Sequence, residues 1–262
     1  MNGKNLLLLA GTGDARELGV RIAASGWSVT ASVVTESAAA SLEAAGIPAR
    51  IGRLDADGMA RLAAELGAEA IVDASHPFAE EASRNAIAAA SLAALPYIRY
   101  ERASRSYHDH PNVTVVDDYE AAAELAAERG GVIMLTTGSK TLGIFTKRLL
   151  GRTDIRLVAR MLPRRDNMEK CEELGVEQKN IVAMQGPFSK ELNKALFDQF
   201  GVTLMITKES GKEGAVDDKL EAALEMGLET IVIGRPVIDY GTVVSGFEDV
   251  LARLEPLQLH KG

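Results

Sequence analysis

The fold of this chain is decided at residues 6–18, which read LLLLAGTGDAREL. Four consecutive leucines fit a strand that is buried on both faces of a sheet. Two glycines, Gly11 and Gly13, then turn the chain directly into a helical pattern. A strand that ends in such a turn leaves backbone N–H groups at the positive end of the helix dipole, which suits a phosphate group. The stretch therefore predicts a phosphate-binding turn.

The glycine turn matches the dinucleotide-binding motif only in part. The pattern is Gly-x-Gly-x-x-Arg, with Arg16 where the motif has its third glycine. A tight strand–helix turn that binds no ligand is the alternative. Whether the turn binds a ligand therefore depends on the residues in the loops after the other strands.

Strand-like apolar runs alternate with helical stretches along the whole chain. In the first half these runs lie at residues 5–10, 28–34, 49–51, 70–73 and 97–100. In the second half they lie at residues 113–116, 132–136, 154–160, 181–184, 203–207 and 230–233. Such alternation is typical of right-handed βαβ crossovers and a parallel sheet. We therefore expect an α/β protein of two Rossmann-like domains, residues 1–110 and 111–262, with a substrate cleft between them.

Composition excludes several classes of function. The chain has 262 residues and a net charge of −8, which argues against a nucleic-acid or membrane-surface role. The single cysteine, Cys171, excludes an internal disulfide and fits a reducing compartment. No apolar run is long enough to span a membrane, and the leucine run lacks the features of a signal peptide. We expect a cytoplasmic protein.

An acidic residue follows the second predicted strand, about 20 residues after the glycines. This is Glu36, preceded by Thr35, and a carboxylate in this place accepts both hydroxyls of an adenosine ribose. Such a carboxylate repels a 2′-phosphate and favours NADH, although Arg53 could reach the same pocket. The alternative is that Glu36 only stabilises the start of a helix.

The loops after the fourth and fifth predicted strands carry polar residues. The first reads DASHPFA at residues 73–79, and we expect Pro77 in the first turn of a helix with Ser75 or His76 near its cap. His76 could contact a cofactor or donate a proton, or it could only cap the helix. Arg99 and Arg102 follow, and they suit carboxylate recognition. A structural Arg–Glu pair is the competing account.

The loops of the second half bring cations to strand ends. Lys140, Arg160, Arg164 and Lys208 each follow or end a predicted strand. In an acidic protein this placement suggests a polyanionic substrate, although any one of these residues could be an ordinary surface charge.

Several motifs are absent from the chain. It has no P-loop, no Tyr-x-x-x-Lys pair and no Gly-x-Ser-x-Gly elbow. The tripeptide at residues 108–110, His-Asp-His, lacks further ligands at useful spacing, so we expect a loop and no metal site.

Taken together, the motifs resemble the precorrin-6A reductases of cobalamin biosynthesis. The matching segments are residues 9–16, 73–79, 97–102, 136–140, 185–188 and 207–211. The chain departs from the family pattern at Asp14, where glutamate is common, at Ala103, where proline is common, and at Lys212 and Glu213, which replace a glycine-rich turn.

The resemblance implies hydride transfer from NADPH or NADH to a ring double bond of precorrin-6A or its cobalt form, a polycarboxylate tetrapyrrole. The cofactor-binding residues that we expect are Gly11, Thr12, Gly13, Asp14, Ala15, Arg16, Thr35, Glu36, Ser75, His76, Pro77 and Phe78. The substrate-binding residues that we expect are Arg99, Arg102, Gly138, Lys140, Arg160, Gly186, Lys208 and Ser210. The candidates for the proton donor are His76, Lys208 and Ser210.

Two other classes of function stay open at this point. One is a different nicotinamide-dependent reductase or epimerase, against which the missing Tyr-x-x-x-Lys pair counts. The other is a nucleotide-binding module without catalytic activity.

Overall fold

The computed structural model describes residues 4–102, 110–209 and 217–259. Over these ranges the chain forms two parallel six-stranded sheets with interleaved helices, so the expected α/β class is confirmed. Each sheet belongs to one of two compact units. The first unit comprises Met1–Ala103 and Val237–Gly262, and the second comprises Ser104–Pro236. No helix among the described residues is both long and apolar enough to cross a membrane.

The first unit contains the strand that opens the chain. Its elements, numbered along the whole chain, are β1 (Asn5–Leu9), α1 (Gly13–Ala24), β2 (Ser28–Val33), α2 (Glu36–Glu43), β3 (Ala49–Ile51), α3 (Ala56–Leu66), β4 (Ala68–Asp73), α4 (Glu80–Leu92), β5 (Tyr97–Tyr100), β12 (Val243–Val244) and α10 (Phe247–Leu259). The strand order is β12-β5-β4-β1-β2-β3.

The second unit repeats this arrangement. Its elements are β6 (Val113–Val116), α5 (Tyr119–Arg129), β7 (Gly131–Leu135), α6 (Leu142–Leu149), β8 (Ile155–Met161), α7 (Arg165–Glu173), a 3-10 turn (Gln178–Asn180), β9 (Ile181–Ala183), α8 (Lys190–Phe200), β10 (Leu204–Lys208), α9 (Asp218–Glu225) and β11 (Glu229–Ile233). The strand order is β6-β11-β10-β7-β8-β9, so β7 and β10 take the central places that β1 and β4 have in the first sheet.

The outermost strand at one edge of each sheet pairs with a strand that is not its neighbour along the chain. Strand β6 follows β5 along the chain but pairs with β11, whereas β12 follows β11 and pairs with β5. The amide of Arg99 donates to the carbonyl of Thr242, and Val250 and Leu254 of α10 are buried in the core of the first unit. The expected division into residues 1–110 and 111–262 therefore does not describe the end of the chain. From Val237 the chain returns to the first unit.

The leucines of β1 account for the core of the first unit. Leu6 and Leu8 lie in a cluster with residues of α1 and α10, and Leu7 and Leu9 lie in a second cluster with residues of α3 and α4. All four leucines are at most 3% exposed. The predicted strand buried on both faces is confirmed, and it lies at the centre of a sheet covered by helices on either side.

Candidate functional site

The glycine turn after β1 is open to a ligand. Gly11 has φ +149°, a value that favours glycine, and a Cβ atom placed on Gly11 or Gly13 would meet no heavy atom within 4 Å. The Thr12 hydroxyl accepts the amide hydrogen of Ala15 and thereby caps α1. Backbone can approach a ligand closely here, so the turn fits a diphosphate.

Arg16 occupies the third glycine position without obstructing the sheet. Its side chain is exposed, and Nη1 donates to the Ser41 hydroxyl on α2 at 2.9 Å. The close helix–strand approach lies one turn later, at Gly19, where an added Cβ would lie 2.9 Å from Leu8 Cδ2. In the dinucleotide-binding motif the third glycine allows that approach. Gly19 takes over this task, which explains how Arg16 is tolerated.

The turn lies at the point where the order of the first sheet reverses. From β1 the chain runs outward through β2 and β3 on one side, and then continues with β4 and β5 on the other. Open parallel sheets bind ligands outside the carboxyl ends of strands at such a point. The turn after β1 and the loop after β4, residues 74–79, are therefore neighbours at this edge.

Thr35 and Glu36 lie at the start of α2, directly after β2. The Thr35 hydroxyl accepts the amide hydrogen of Ala38, and Glu36 is the first residue of the helix and exposed. The exposed carboxylate is compatible with ribose binding and also with the alternative that it stabilises the helix terminus.

The loop after β4 differs from the expected helix start. Helix α4 begins at Glu80, so Pro77 lies in the turn before the helix, and neither Ser75 nor His76 caps it. Instead, His76 Nδ1 accepts the amide hydrogen of Phe78 at 3.2 Å. An accepting Nδ1 places the proton of the neutral imidazole on Nε2. The expectation failed because residues 76–79 form a turn before the helix, in which the Ala79 amide donates to the His76 carbonyl at 2.8 Å.

Arg99 lies in a buried ion network at the ends of β4 and β5. Its Nη1 donates to Asp73 Oδ1 at 3.0 Å and its Nε to Glu101 Oε2 at 3.0 Å, and the side chains of Arg99 and Asp73 are 0% exposed. Burial opposes the charge, but Asp73 and Glu101 outweigh it and raise the pKa of Arg99. The Tyr97 hydroxyl donates to Asp73 Oδ2 at 2.8 Å, and burial together with the Asp73 charge raises the pKa of Tyr97.

The network fixes the start of the 74–79 loop. Ser75 donates its amide and its hydroxyl hydrogens to Asp73 Oδ1, at 2.9 and 2.6 Å, and its carbonyl accepts from Arg99 Nη1 at 3.0 Å. Tyr240, on the segment that returns to the first unit, stacks on the Arg99 guanidinium with 5.0 Å to its ring centroid. We expected Arg99 to bind a substrate carboxylate, but its guanidinium has no exposed surface and already pairs with two carboxylates. The geometry supports the competing account of a structural Arg–Glu pair.

Arg102 and Asp14 form an ion pair in the first unit. The sequence assigned Asp14 to the cofactor and Arg102 to the substrate, and the structure brings the two together. The Arg102 side chain remains 22% exposed and the Asp14 side chain 33% exposed.

A cation cluster, defined as Lys140, Arg160, Lys208 and Lys219, is formed by residues at strand ends of the second sheet and at the start of α9. Burial lowers the pKa of Lys208, and the charges of Lys140 and Lys219 lower it further. Burial lowers the pKa of Arg160 to about 10, which Asp217 partly opposes. Lys219 was not predicted from the sequence, and its Nζ lies 2.8 Å from Asp217 Oδ2. The repulsion of Lys208 by Lys140 and Lys219 favours the binding of an anion.

Arg160 is held in a defined position. Its Nη1 donates to Asn193 Oδ1 at 2.7 Å, and its guanidinium lies 4.4 Å from the centroid of the Phe188 ring. Asn193, on α8, was not predicted, because a single asparagine in a helical pattern gives no signal. By contrast, Arg164 is exposed and pairs with Asp166 at 3.0 Å, as an ordinary surface charge does.

The remaining expected residues are placed as follows. Gly138 has φ +82° with no atom within 4 Å of an added Cβ, whereas a Cβ on Gly186 would lie 3.1 Å from the Phe188 ring. Ser210 lies outside the described residues, as do residues 108 and 109. Cys171 is buried, and burial raises its pKa, which disfavours the nucleophilic thiolate. Among the described residues, no group of three or more His, Cys, Asp or Glu side chains could hold a metal ion.

Comparison with known proteins agrees with these features. A cobalt-precorrin-6A reductase of Priestia megaterium is 61% identical over 95% of this chain and 97% of its own length. One of Methanothermobacter thermautotrophicus is 37% identical over 90% of this chain and 78% of its own length. The solved structure of a CobK precorrin-6A reductase matches with a TM-score of 0.79 and 25% identity, covering 97% of this chain and 96% of its own.

The profile of one protein family, described as precorrin-6x reductase CbiJ/CobK, matches residues 5–255. The match spans both sheets and the glycine turn, and it ends within α10. The resemblance proposed from sequence motifs is thereby confirmed, and the reading as a nucleotide-binding module without activity is set aside. The chain belongs to the precorrin-6x reductase CbiJ/CobK family of oxidoreductases, which act in cobalamin biosynthesis.

Proposed function

We propose that this chain reduces cobalt-precorrin-6A with NADH as the preferred coenzyme. The observation that carries the proposal is that the chain has both an open glycine turn followed by Glu36 in the first unit and a cation cluster in the second unit. The relatives with the two highest identities reported above both bear the name cobalt-precorrin-6A reductase, which supports the cobalt-containing substrate.

When bound, the reduced nicotinamide supplies a hydride to one carbon of a ring double bond, while a proton adds to the other. The protein binds and orients both molecules. We assign the diphosphate to residues 11–16, the adenosine ribose to Thr35 and Glu36, and the nicotinamide side to residues 75–78. The candidates for the proton donor are Lys208 at Nζ, Ser210 and His76. To donate a proton, His76 would first have to become protonated on both nitrogens, which would end its hydrogen bond from the Phe78 amide.

The cation cluster is our candidate for the substrate carboxylates. Lys140, Arg160 and Lys208 carry positive charge to one sheet edge, and the pKa of Lys208 is lowered by burial and like charges. A carboxylate that binds there relieves the repulsion among these cations. Gly138 adds an open turn at the same edge.

Replacing Lys208 with methionine is expected to raise the KM for the tetrapyrrole about tenfold, which corresponds to losing one charged hydrogen bond. The KM for NADH should stay unchanged. Because Lys208 also has a contact within the protein, the melting temperature of the variant must show that it is folded before the KM values are compared. Steady-state kinetics and thermal melts check both results, with Lys147→Met, an exposed lysine on α6, as the control. An unchanged tetrapyrrole KM would remove Lys208 from the substrate site.

The same cations predict a pH dependence of substrate affinity. Only their protonated forms attract carboxylates, and the pKa of Lys208 lies below its ordinary value while that of Arg160 is about 10. Affinity is therefore expected to be full near neutral pH and to fall as pH rises toward 10. Lys208→Arg should move this loss to higher pH, because arginine keeps its proton longer. A tetrapyrrole KM that is flat with pH in both proteins would contradict the assignment.

Glu36 is expected to determine the choice of coenzyme. Its carboxylate binds ribose hydroxyls and repels a 2′-phosphate, so Glu36→Ala should shift the ratio of kcat/KM for NADH over NADPH toward NADPH by about tenfold or more. Glu43→Ala, at the other end of α2, is the matched control, since Glu43 is also exposed. Equal ratios in all three proteins would show that Glu36 only stabilises its helix.

A further inference from the structure

We infer that Arg102 belongs to the coenzyme site, where it neutralises Asp14 and attracts the diphosphate. The inference rests on the proposed function, because it places the diphosphate on the glycine turn. It assigns to the coenzyme a residue that the sequence motifs connected with the substrate.

The first observation is the position of the ion pair. Asp14 is the second residue of α1, within the glycine turn, and its carboxylate contacts the Arg102 guanidinium. Arg102 follows β5 by two residues, and β4 lies between β5 and β1 in the sheet. The Arg102 side chain therefore spans the end of β4 to reach the turn.

The second observation concerns charge. A carboxylate in the first turn stabilises a helix, but it also repels a diphosphate that binds at the same helix terminus. Paired with Arg102, Asp14 adds no net negative charge to the turn. A guanidinium also matches phosphate oxygens in geometry as well as it matches a carboxylate. The pair thus explains how an acidic residue is compatible with a phosphate-binding turn.

The third observation distinguishes the two arginines of this region. Arg99 is fully buried and is bound to Asp73 and Glu101, whereas Arg102 is 22% exposed at the turn itself. Arg99 therefore fixes the 74–79 loop through its hydrogen bonds to Asp73 and Ser75. Arg102 is the arginine that a bound coenzyme can reach.

The test compares Arg102→Gln, Asp14→Asn and the double variant by calorimetric titration with NADH, ADP-ribose and adenosine. Arg102→Gln should weaken both NADH and ADP-ribose about tenfold, because both carry the diphosphate, and should leave adenosine unchanged. Asp14→Asn should bind NADH at least as well as the parent. The double variant should bind better than Arg102→Gln alone, because the repelling carboxylate is gone. Arg61→Gln, an exposed arginine on α3, is the control.

Unchanged binding of NADH and ADP-ribose by Arg102→Gln would overturn the inference, and a raised tetrapyrrole KM in that variant would return Arg102 to the substrate. Equal weakening of NADH, ADP-ribose and adenosine would also overturn it, since it would report damage to the whole unit. If Arg102→Gln folds poorly because Asp14 is left unpaired, the double variant still provides the test, since it has no carboxylate at position 14. Failure of the proposed function is distinguishable: Gly11→Val would then bind NADH normally.

Discussion

Asp73→Ala is expected to lower the free energy of unfolding by about 3–5 kcal/mol, the cost of breaking a buried ion pair. The change leaves the guanidinium of Arg99 buried with only Glu101 as a charged partner, and it also removes the acceptor of Ser75 and Tyr97. Urea denaturation followed by circular dichroism measures the effect. Because the network fixes the 74–79 loop, kcat should also fall in the fraction that remains folded.

The matched control is Glu80→Ala, which breaks the exposed Glu80–Arg84 pair on α4. Exposed pairs of this kind contribute about 0–1 kcal/mol. If Asp73→Ala costs no more than Glu80→Ala, then the buried network does not stabilise the first unit as described.

Gly11→Val is expected to weaken NADH binding by about a hundredfold or more, which corresponds to roughly 2.7 kcal/mol. The backbone of Gly11 has φ +149°, which a β-branched residue rarely adopts, and the new side chain would enter the open turn where the diphosphate is assigned. Fluorescence titration with NADH measures the loss.

Gly151→Val is the control for backbone strain alone. Gly151 also has a positive φ, +82°, with no atom within 4 Å of an added Cβ, but it lies in the second unit. We expect this variant to lose stability and to bind NADH normally. Equal NADH affinities of Gly11→Val and the parent protein would contradict the coenzyme assignment.

The repeating strand–helix pattern was predictable because apolar strands and capped helices are local features of sequence. The leucines of β1 indicated a strand buried on both faces, and the helices between the later runs indicated parallel sheets. The pairing of β12 with β5 in the first sheet was not predictable. Strand β12 has only two residues, Val243 and Val244, and Val243 is 48% exposed, so no apolar run marks it.

The sequence shows which candidate site residues lie on loops after strands, but it does not show which residues pair across neighbouring strands. Asp73 and Arg99 are paired across β4 and β5, which only the register of the two strands reveals. The sequence placed both residues at strand ends, but it could not show that they neutralise each other. Asn193 lies 33 residues after Arg160, so no local pattern connects the two. Lys219 lies near the start of α9, where the sequence does not show that its charge reaches Lys208.

The most direct test of the proposed reaction is anaerobic incubation of the protein with cobalt-precorrin-6A and NADH in which deuterium replaces both hydrogens at C4 of the nicotinamide, the transferring carbon. We expect one NADH to be oxidised for each tetrapyrrole reduced, the chromophore spectrum to change accordingly, and the product to carry one deuterium. Gly11→Val should show these changes much more slowly than the parent protein at coenzyme concentrations that only just saturate the parent. An unchanged spectrum with the parent protein, or a reduced product without deuterium, would contradict the proposed reaction.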